Sequence, residues 1–297
     1  MTAAGTTMEL AVDGRHVLGE GIVWDDRTER LFWTDIERSE LWSLRPHDGA
    51  LQRWPLPERL CCIALTGDDD RLLLGLASGL AFFDLAGAGL TRICDVETDI
   101  PSTRLNDGRV DRQGRLVFGM FNQAEDPKDP VGGFYRLHTD LTLERLPLGG
   151  VAIANSICFS PDGGTMYYAD SATGEIRCCD YGADGTIANL RVFVPADAAP
   201  GDPDGSTVDA DGYLWSTRWG AGQVVRFAPD GRVDRVLAVR APQPSCPAFG
   251  GPGLDVLYVT SAAVGMADAA LAAAPASGGV FARALDVRGL PEQRFAA

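Results

Sequence analysis

Residues 155–169, NSICFSPDGGTMYYA, contain the pattern that decides the fold. An apolar residue, Phe159, precedes a short turn rich in Asp and Gly, and an apolar run beginning at Met166 follows the turn. Asp-Gly turns tolerate positive φ angles, and runs rich in aromatic side chains suit a pleated strand. The stretch therefore predicts two antiparallel strands joined by a hairpin turn.

The same pattern of apolar anchor, polar turn and apolar run occurs six times along the chain. The anchors are Trp24, Leu65, Val110, Phe159, Val208 and Phe249. Successive anchors are 41, 45, 49, 49 and 41 residues apart, which suits four short strands per unit, the size of a propeller blade. A β-sandwich is the structural alternative, but spacings this long argue against it.

We therefore predict an all-β chain folded as a six-bladed β-propeller, with residues 1–297 forming a single domain. No Ser/Gly-rich tract, charge block or low-complexity run separates two halves. We expect disorder in the first residues, about seven of them. The helix-prone stretch 266–274 is expected to be a loop insertion in the last blade.

The charge and the cysteines narrow the choice of partners and compartment. The chain has 26 Lys and Arg against 41 Asp and Glu, a formal net charge of -15, which disfavours nucleic acid and anionic membrane surfaces. No signal sequence and no apolar stretch of about 20 residues is found. Seven cysteines, with two adjacent pairs and no CxxC, make a poor disulfide framework. We expect a cytoplasmic protein with reduced thiols.

The residue four positions before each anchor is polar in most repeats. These positions hold Glu20, Cys61, Asn106, Asn155, Asp204 and Ser245. Equivalent positions in propeller blades should converge around the central channel, so four hard oxygen donors would form a ring there. Such a ring suits one divalent cation, Ca²⁺, Mg²⁺ or Mn²⁺, with Zn²⁺ and Fe²⁺ as further candidates. The alternative is that these are ordinary turn and cap residues.

Four ordered motifs resemble a known family. LGEG at residues 18–21 with Trp24, RLNDG at residues 104–108, the NSICFSPD stretch at 155–162 and PDG at 203–205 are similar to motifs of the SMP-30/gluconolactonase/luciferin-regenerating family. The resemblance runs from about Leu18 to Val280. It implies a six-bladed propeller, in agreement with the repeat count.

The resemblance also implies roles for particular residues. Glu20, Asn155 and Asp204 would be the protein ligands of the metal, and Arg104 and Asn106 would contact the substrate. A surface salt bridge is the structural alternative for Arg104, and the resemblance favours substrate contact.

The chain departs from the family pattern at two places. Ile22 stands where the family has Pro, which should change only the stiffness of the loop. Some members carry an acidic residue soon after the Gly of the third-blade strand, where this chain has Gly119 and then Asn122. We expect Asn122 to point into the pocket and bind substrate.

The resemblance implies hydrolysis of a sugar lactone, a pentono- or hexonolactone, to the aldonic acid. A bound divalent ion can polarise the lactone carbonyl and lower the pKa of water. Asp204 is the candidate general base as well as a ligand, and the amide of Asn106 could donate to the oxyanion. Asp107 is interpreted as the turn residue of an Asp-Gly pair and is left out of the site.

Other interpretations stay open at this point. No GxSxG motif is present, and three scattered histidines make a Ser-His-Asp triad a poor alternative. A non-catalytic propeller that binds a metal or a protein partner is one alternative function, and another metal-dependent esterase on the same fold is a second. Tyr168, Arg218 and Trp219 could shape the pocket, although Tyr168 and Trp219 would serve equally as blade-packing residues.

Overall fold

Antiparallel strands make up nearly all the regular structure in the computed structural model, which describes residues 7–124 and 126–297. The strands are β1 (Glu9–Val12), β2 (Gly19–Asp25), β3 (Arg30–Asp35), β4 (Glu40–Arg45), β5 (Ala50–Pro55), β6 (Leu60–Leu65), β7 (Arg71–Leu76), β8 (Gly79–Asp84), β9 (Gly89–Asp95), β10 (Thr103–Val110), β11 (Leu116–Asn122), β12 (Phe134–Leu137), β13 (Leu143–Arg145), β14 (Ala154–Phe159), β15 (Thr165–Asp170), β16 (Ile176–Tyr181), β17 (Ile187–Val194), β18 (Asp202–Val208), β19 (Leu214–Trp219), β20 (Gln223–Phe227), β21 (Val233–Ala238), β22 (Pro244–Gly250), β23 (Val256–Ser261) and β24 (Val280–Ala284).

These strands form six four-stranded sheets, which confirms the predicted six-bladed propeller. Five sheets are consecutive meanders, β2 to β5, β6 to β9, β10 to β13, β14 to β17 and β18 to β21. The sixth has the order β1-β24-β23-β22, so the N-terminal strand completes the last blade. This pairing joins the two ends of the chain and closes the ring. The single-domain assignment of residues 1–297 stays a prediction.

The N-terminus and the helical insertion can be compared with their predictions. Residues 1–6 lie outside the described residues, and the predicted disorder of the N-terminus concerns mainly these residues. Thr7, the first described residue, pairs with Ala238. Helix α1 (Asp268–Ala273) lies between β23 and β24, as predicted for the insertion in the last blade. Within the described ranges no helix is long and apolar enough to cross a membrane.

The six anchors are buried at or near the ends of the innermost strands, with relative exposures of 2–5%. The apolar clusters combine residues of neighbouring blades, so the core lies between sheets packed face to face. Val208 of β18, for example, belongs to the same cluster as Cys158 and Tyr167 of the preceding blade. The hairpin turns are as predicted, since Gly163 and Gly212 have φ angles of 74° and 84°.

Every innermost strand carries a β-bulge within one residue of the same point of the repeat. Pairing with the second strand begins to shift four residues before the anchor in the first and fourth blades and five residues before it in the other four. A bulge interrupts the alternation of side chains and re-aims those beside it. In the third to fifth blades the shift adjoins Asn106, Asn155 and Asp204. The bulge is therefore the local feature that the ring positions share.

The C-terminal segment, residues 285–297, crosses several blades at the anchor end of the channel. The Phe295 amide donates to the Leu65 carbonyl at 2.8 Å, and the Phe295 ring is 1% exposed in the core. Glu292 forms a largely buried ion pair with Arg109 of β10. This segment covers one end of the channel, and the candidate site lies at the other.

Candidate functional site

One cavity of about 380 Å³ lies where the innermost strands begin. Glu20, Asn106, Asn155 and Asp204 all line it, so the structure brings together the four oxygen donors of the predicted ring. The remaining ring positions are occupied differently. The Cys61 thiol is 2% exposed, and the Ser245 hydroxyl donates to the Gly19 carbonyl at 2.5 Å.

Three carboxylates crowd the axis of the propeller. Burial raises the pKa of Glu20 to about 8, and the negative charge of Asp107 adds to this effect. Burial, followed by the negative charges of Glu20 and Asp107, raises the pKa of Asp204 well above its usual range. Burial also raises the pKa of Asp107. Water has been removed from these groups without full compensation by cationic side chains.

Asp107 corrects the sequence interpretation. It is not the turn residue of an Asp-Gly pair, because it lies within β10, at the bulge that follows Leu105. One carboxylate oxygen accepts a hydrogen bond from the Ile157 amide of the next blade at 2.8 Å. Its place directly after the ring residue Asn106 was the signal available in the sequence.

The donor set suits a divalent cation that prefers oxygen ligands. In the described part of the chain no three His, Cys, Asp or Glu side chains are grouped to bind a metal on their own. A cation on the axis would therefore need the amide oxygen of Asn155 together with the carboxylates of Glu20 and Asp204. These side chains fit such an ion, because a cation would offset the mutual repulsion of the buried carboxylates.

Arg104 is the cationic side chain nearest the ring. Its Nη1 donates to Asn106 Oδ1 at 2.6 Å and to the Leu105 carbonyl at 2.8 Å, and its guanidinium lies 4.5 Å from the ring centroid of Phe121. The side chain is 5% exposed and lines the cavity. Its buried Nε has no hydrogen-bond partner among the residues that the structure describes. Nε is therefore enclosed, and Arg104 meets the cavity through other atoms of its side chain.

Both amide hydrogens of Asn106 are engaged within the protein. Nδ2 donates to the Ala154 carbonyl at 2.8 Å and to Asn155 Oδ1 at 3.2 Å. The structure thus leaves no free amide hydrogen for the predicted hydrogen bond to an oxyanion. Asn106 connects Arg104 to Asn155 instead.

The rest of the cavity wall is largely apolar, with a charged mouth. Apolar side chains that line it are Leu18, Ile36, Phe121, Ile153, Trp219 and Val264. At the mouth, Arg59 lies 3.6 Å from a Glu37 carboxylate oxygen and donates to Gln123 Oε1 at 2.6 Å. Oxygen donors form the floor of the cavity and apolar side chains form its wall. This combination suits a small cyclic organic molecule with polar substituents rather than a bare ion. Among these wall residues only Trp219 was named from the sequence as one that could shape the pocket. The spacing of the repeats does not identify it.

The structure places Asn122 outside the cavity lining. Its side chain is 2% exposed, its Nδ2 donates to the Asp129 carbonyl at 3.0 Å, and its Oδ1 accepts from the Ala124 amide at 3.1 Å. The amide is used to hold the loop that follows β11. Its neighbours Phe121 and Gln123 line the cavity in its place.

Of the three further pocket candidates, only Trp219 lines the cavity. Tyr168 is a core residue, 3% exposed, with its ring edge-to-face against Phe134 at 5.4 Å. Arg218 is fully buried and donates to the carbonyls of residues 199–201, which precede β18. It stabilises the segment that leads to Asp204 without reaching the cavity.

The fold and the site together define a six-bladed propeller with an acidic, oxygen-rich axial site beside a buried arginine. The chain belongs to the SMP-30/Gluconolactonase/LRE-like family, whose model matches residues 18–263. The match spans all four motifs that carry the ring residues.

Individual relatives match along almost the whole length. An L-arabinolactonase of Azospirillum brasilense is 54% identical over 97% of this chain and 95% of its own. A 6-deoxy-6-sulfogluconolactonase of Pseudomonas putida is 34% identical over 98% of this chain and 99% of its own. A solved structure from Agrobacterium tumefaciens, described as the calcium-binding protein regucalcin, has a TM-score of 0.91 and 31% identity, covering 98% of this chain and 99% of that one.

Proposed function

We propose that the protein hydrolyses L-arabinolactone, or a closely related pentonolactone, to the aldonic acid, with a divalent cation held by Glu20, Asn155 and Asp204. At the coarser level the protein is a sugar lactone hydrolase, in keeping with its family and with the lactonases that it matches from end to end. The choice of L-arabinolactone rests on the 54% identity to a relative of that name.

The observation that carries the proposal is the convergence of the ring on one cavity beside Arg104. Two carboxylates, an amide oxygen and a fixed guanidinium meet there, although the sequence separates Glu20 from Asp204 by most of the chain. Ester hydrolysis needs a polarised carbonyl, a base for water and a donor for the oxyanion. This cavity supplies a candidate for each.

Arg104 is suited to hold the lactone. Its guanidinium is permanently charged, and its contacts with Asn106 and Phe121 fix its orientation. A guanidinium nitrogen that faces the cavity can donate to a lactone oxygen and, as the tetrahedral intermediate forms, to the developing negative charge. Arg104 therefore takes the donor role that the sequence had assigned to Asn106.

Asp204 is suited to accept a proton from the attacking water. Its carboxylate is 6% exposed and lines the cavity floor. Beside the bound cation this carboxylate would be ionised and able to accept a proton, with the activation of water resting mainly on the metal. When bound, the cation supplies Lewis-acid polarisation of the carbonyl and a lowered pKa for water.

The apolar wall argues against simple cation storage as the only function. Phe121 and Trp219 add ring surfaces beside the donors, and a cation alone would not need them. A pentonolactone has polar oxygens around its ring edge and C–H groups on its faces, so it can meet both the floor and the wall. The wall therefore supports an organic substrate.

The test is lactone hydrolysis by the purified full chain, followed with a pH indicator. The panel comprises arabinonolactone, xylonolactone, galactonolactone and gluconolactone, each with chelator-treated protein and with protein restored by Ca²⁺, Mn²⁺, Mg²⁺ or Zn²⁺. We expect turnover that disappears with the chelator, returns with the metal and is fastest for L-arabinolactone. A faster hexonolactone would contradict the substrate assignment, and full turnover in chelator would contradict the metal requirement.

A further inference from the structure

We propose that Ser171 is a positioning residue that orients the amide of Asn155 and thereby sets the cation affinity of the axial site. The inference rests on the proposed function, because it takes Asn155 to be a cation ligand. Ser171 lines the same cavity and is not one of the ring positions.

A directed series of hydrogen bonds crosses three blades at the cavity floor. Arg104 donates to Asn106 Oδ1, Asn106 Nδ2 donates to Asn155 Oδ1, and Asn155 Nδ2 donates to Ser171 Oγ at 2.8 Å. Ser171 Oγ in turn donates to the Pro203 carbonyl at 2.6 Å. The series ends on the residue directly before Asp204.

The chemistry of the two ends fixes the direction of every bond. A guanidinium can only donate, so the atom of Asn106 that faces Arg104 must be oxygen. A backbone carbonyl can only accept, so Ser171 must give its single hydrogen to Pro203 and can only accept from Asn155. The assignment of oxygen and nitrogen in both amides therefore follows from their partners. It places the Asn155 oxygen on the side of Asn106 and the nitrogen on the side of Ser171.

The position of Ser171 is itself closely defined. It opens a short 3₁₀ helix, Ser171–Thr173, which directly follows β15. Its amide donates to the Ile153 carbonyl at 2.9 Å, and the Asp170 carboxylate accepts from the amides of Ala152 and Ile153. These bonds hold the backbone of Ser171 in place. From there its hydroxyl reaches Asn155 in the same blade and Pro203 in the next.

Removing this hydroxyl leaves the Asn155 nitrogen without its acceptor. The amide can then turn towards another acceptor, such as the Pro203 carbonyl, and carry its oxygen away from the ring. Groups that orient metal ligands in this way change metal affinity by about 10- to 100-fold when mutated. Ser171 and Asn155 both line the cavity and belong to none of the apolar clusters, although Asn155 is only 5% exposed, so the fold should be retained.

The experiment is calorimetric titration of chelator-treated full chain with Ca²⁺ and with Mn²⁺. We expect Ser171→Ala to weaken binding by about tenfold or more, and Ser171→Thr, which keeps the hydroxyl, to restore most of the affinity. Thr173→Ala is the matched control, because Thr173 lies in the same short helix but donates to the Asp170 carbonyl instead of contacting Asn155. Its affinity should equal that of the original chain, and all variants should melt at similar temperatures in chelator.

A second measurement separates positioning from a general structural effect. In an Asn155→Asp background the ligand has two equivalent oxygens and no nitrogen to orient. Adding Ser171→Ala to that background should then cost little affinity. An equal loss in both backgrounds, or no loss from Ser171→Ala alone, would overturn the inference.

The outcomes also distinguish this inference from the proposed function. If the original chain binds the cation and Ser171→Ala binds it equally well, only the role of Ser171 is wrong. If the original chain binds none of the divalent cations, both the metal requirement and the role of Ser171 are wrong.

Discussion

Replacement of Arg104 tests which side chain holds the lactone oxygen during hydrolysis. The side chain is 5% exposed and lines the cavity beside the ring residue Asn106, to which its Nη1 donates. A hydrogen bond from a charged group contributes about 1.5–3 kcal/mol, which corresponds to about 12- to 160-fold in kcat/KM. We therefore expect Arg104→Ala to lower kcat/KM for L-arabinolactone by that range.

The cation site should respond much less than turnover to this change. The amide of Asn155 donates to Ser171 Oγ at 2.8 Å and accepts from Asn106 at 3.2 Å. Loss of Arg104 would leave the contact with Ser171 in place, so Asn155 should stay oriented. We expect cation affinity to change by at most about fivefold, the effect of about 1 kcal/mol. Arg104→Lys keeps the charge but not the planar fork and should recover only part of the activity.

Initial rates with a pH indicator and calorimetric titration of the same samples measure the two effects. Arg232→Ala is the matched control, because Arg232 is an arginine with a side chain 80% exposed, paired with Asp230 and outside the cavity lining. Its loss should leave kcat/KM and cation affinity unchanged. Unchanged kcat/KM in Arg104→Ala would refute a role in substrate binding. Parallel loss of turnover and cation affinity would mean that Arg104 acts through the ring.

Three further substitutions test the ring and the C-terminal segment. Glu20→Gln should weaken cation binding about tenfold or more, measured by calorimetry, since it removes one of two charged ligands; tight binding would remove Glu20 from the site. Asp204→Ala should lower turnover by at least about 100-fold with an unchanged circular dichroism spectrum, and surviving turnover would contradict its role as base. Phe295→Ala should lower the free energy of unfolding in urea by about 3–5 kcal/mol, because its ring is buried 6.2 Å from that of Phe82. Leu51→Ala, at a site 46% exposed, is the control, and it should change the free energy of unfolding by less than about 0.5 kcal/mol. An equal effect of Phe295→Ala and Leu51→Ala would show that the C-terminal segment is not part of the core.

The ring residues could be predicted from the sequence because the blades repeat. Each innermost strand begins at a similar distance from its buried anchor, and each carries the bulge within one residue of the same point. A fixed offset in sequence thus becomes a fixed height in the channel. This is why counting four residues back from Trp24, Phe159 and Val208 found Glu20, Asn155 and Asp204.

Individual side chains beside the ring were harder to predict from the sequence. Asp107 precedes Gly108, a pair that normally favours a hairpin turn, but the chain uses it at a bulge within β10. Asn122 has the polarity of a pocket residue, but the loop after β11 uses its hydrogen bonds. In both cases a local pattern had two structural uses, and contacts with other segments decided between them.

The sequence by itself determined the all-β architecture, the number of blades and the residues that face the channel, because all three depend on periodic spacing along the chain. Only the tertiary structure decided how these parts act together. It joined β1 to the last blade, used Asn106 to link Arg104 with Asn155, and brought Ser171 and Trp219 to the cavity. The physical reason is that most of these contacts join segments far apart in the sequence, and their hydrogen bonds depend on side-chain positions that no periodicity encodes.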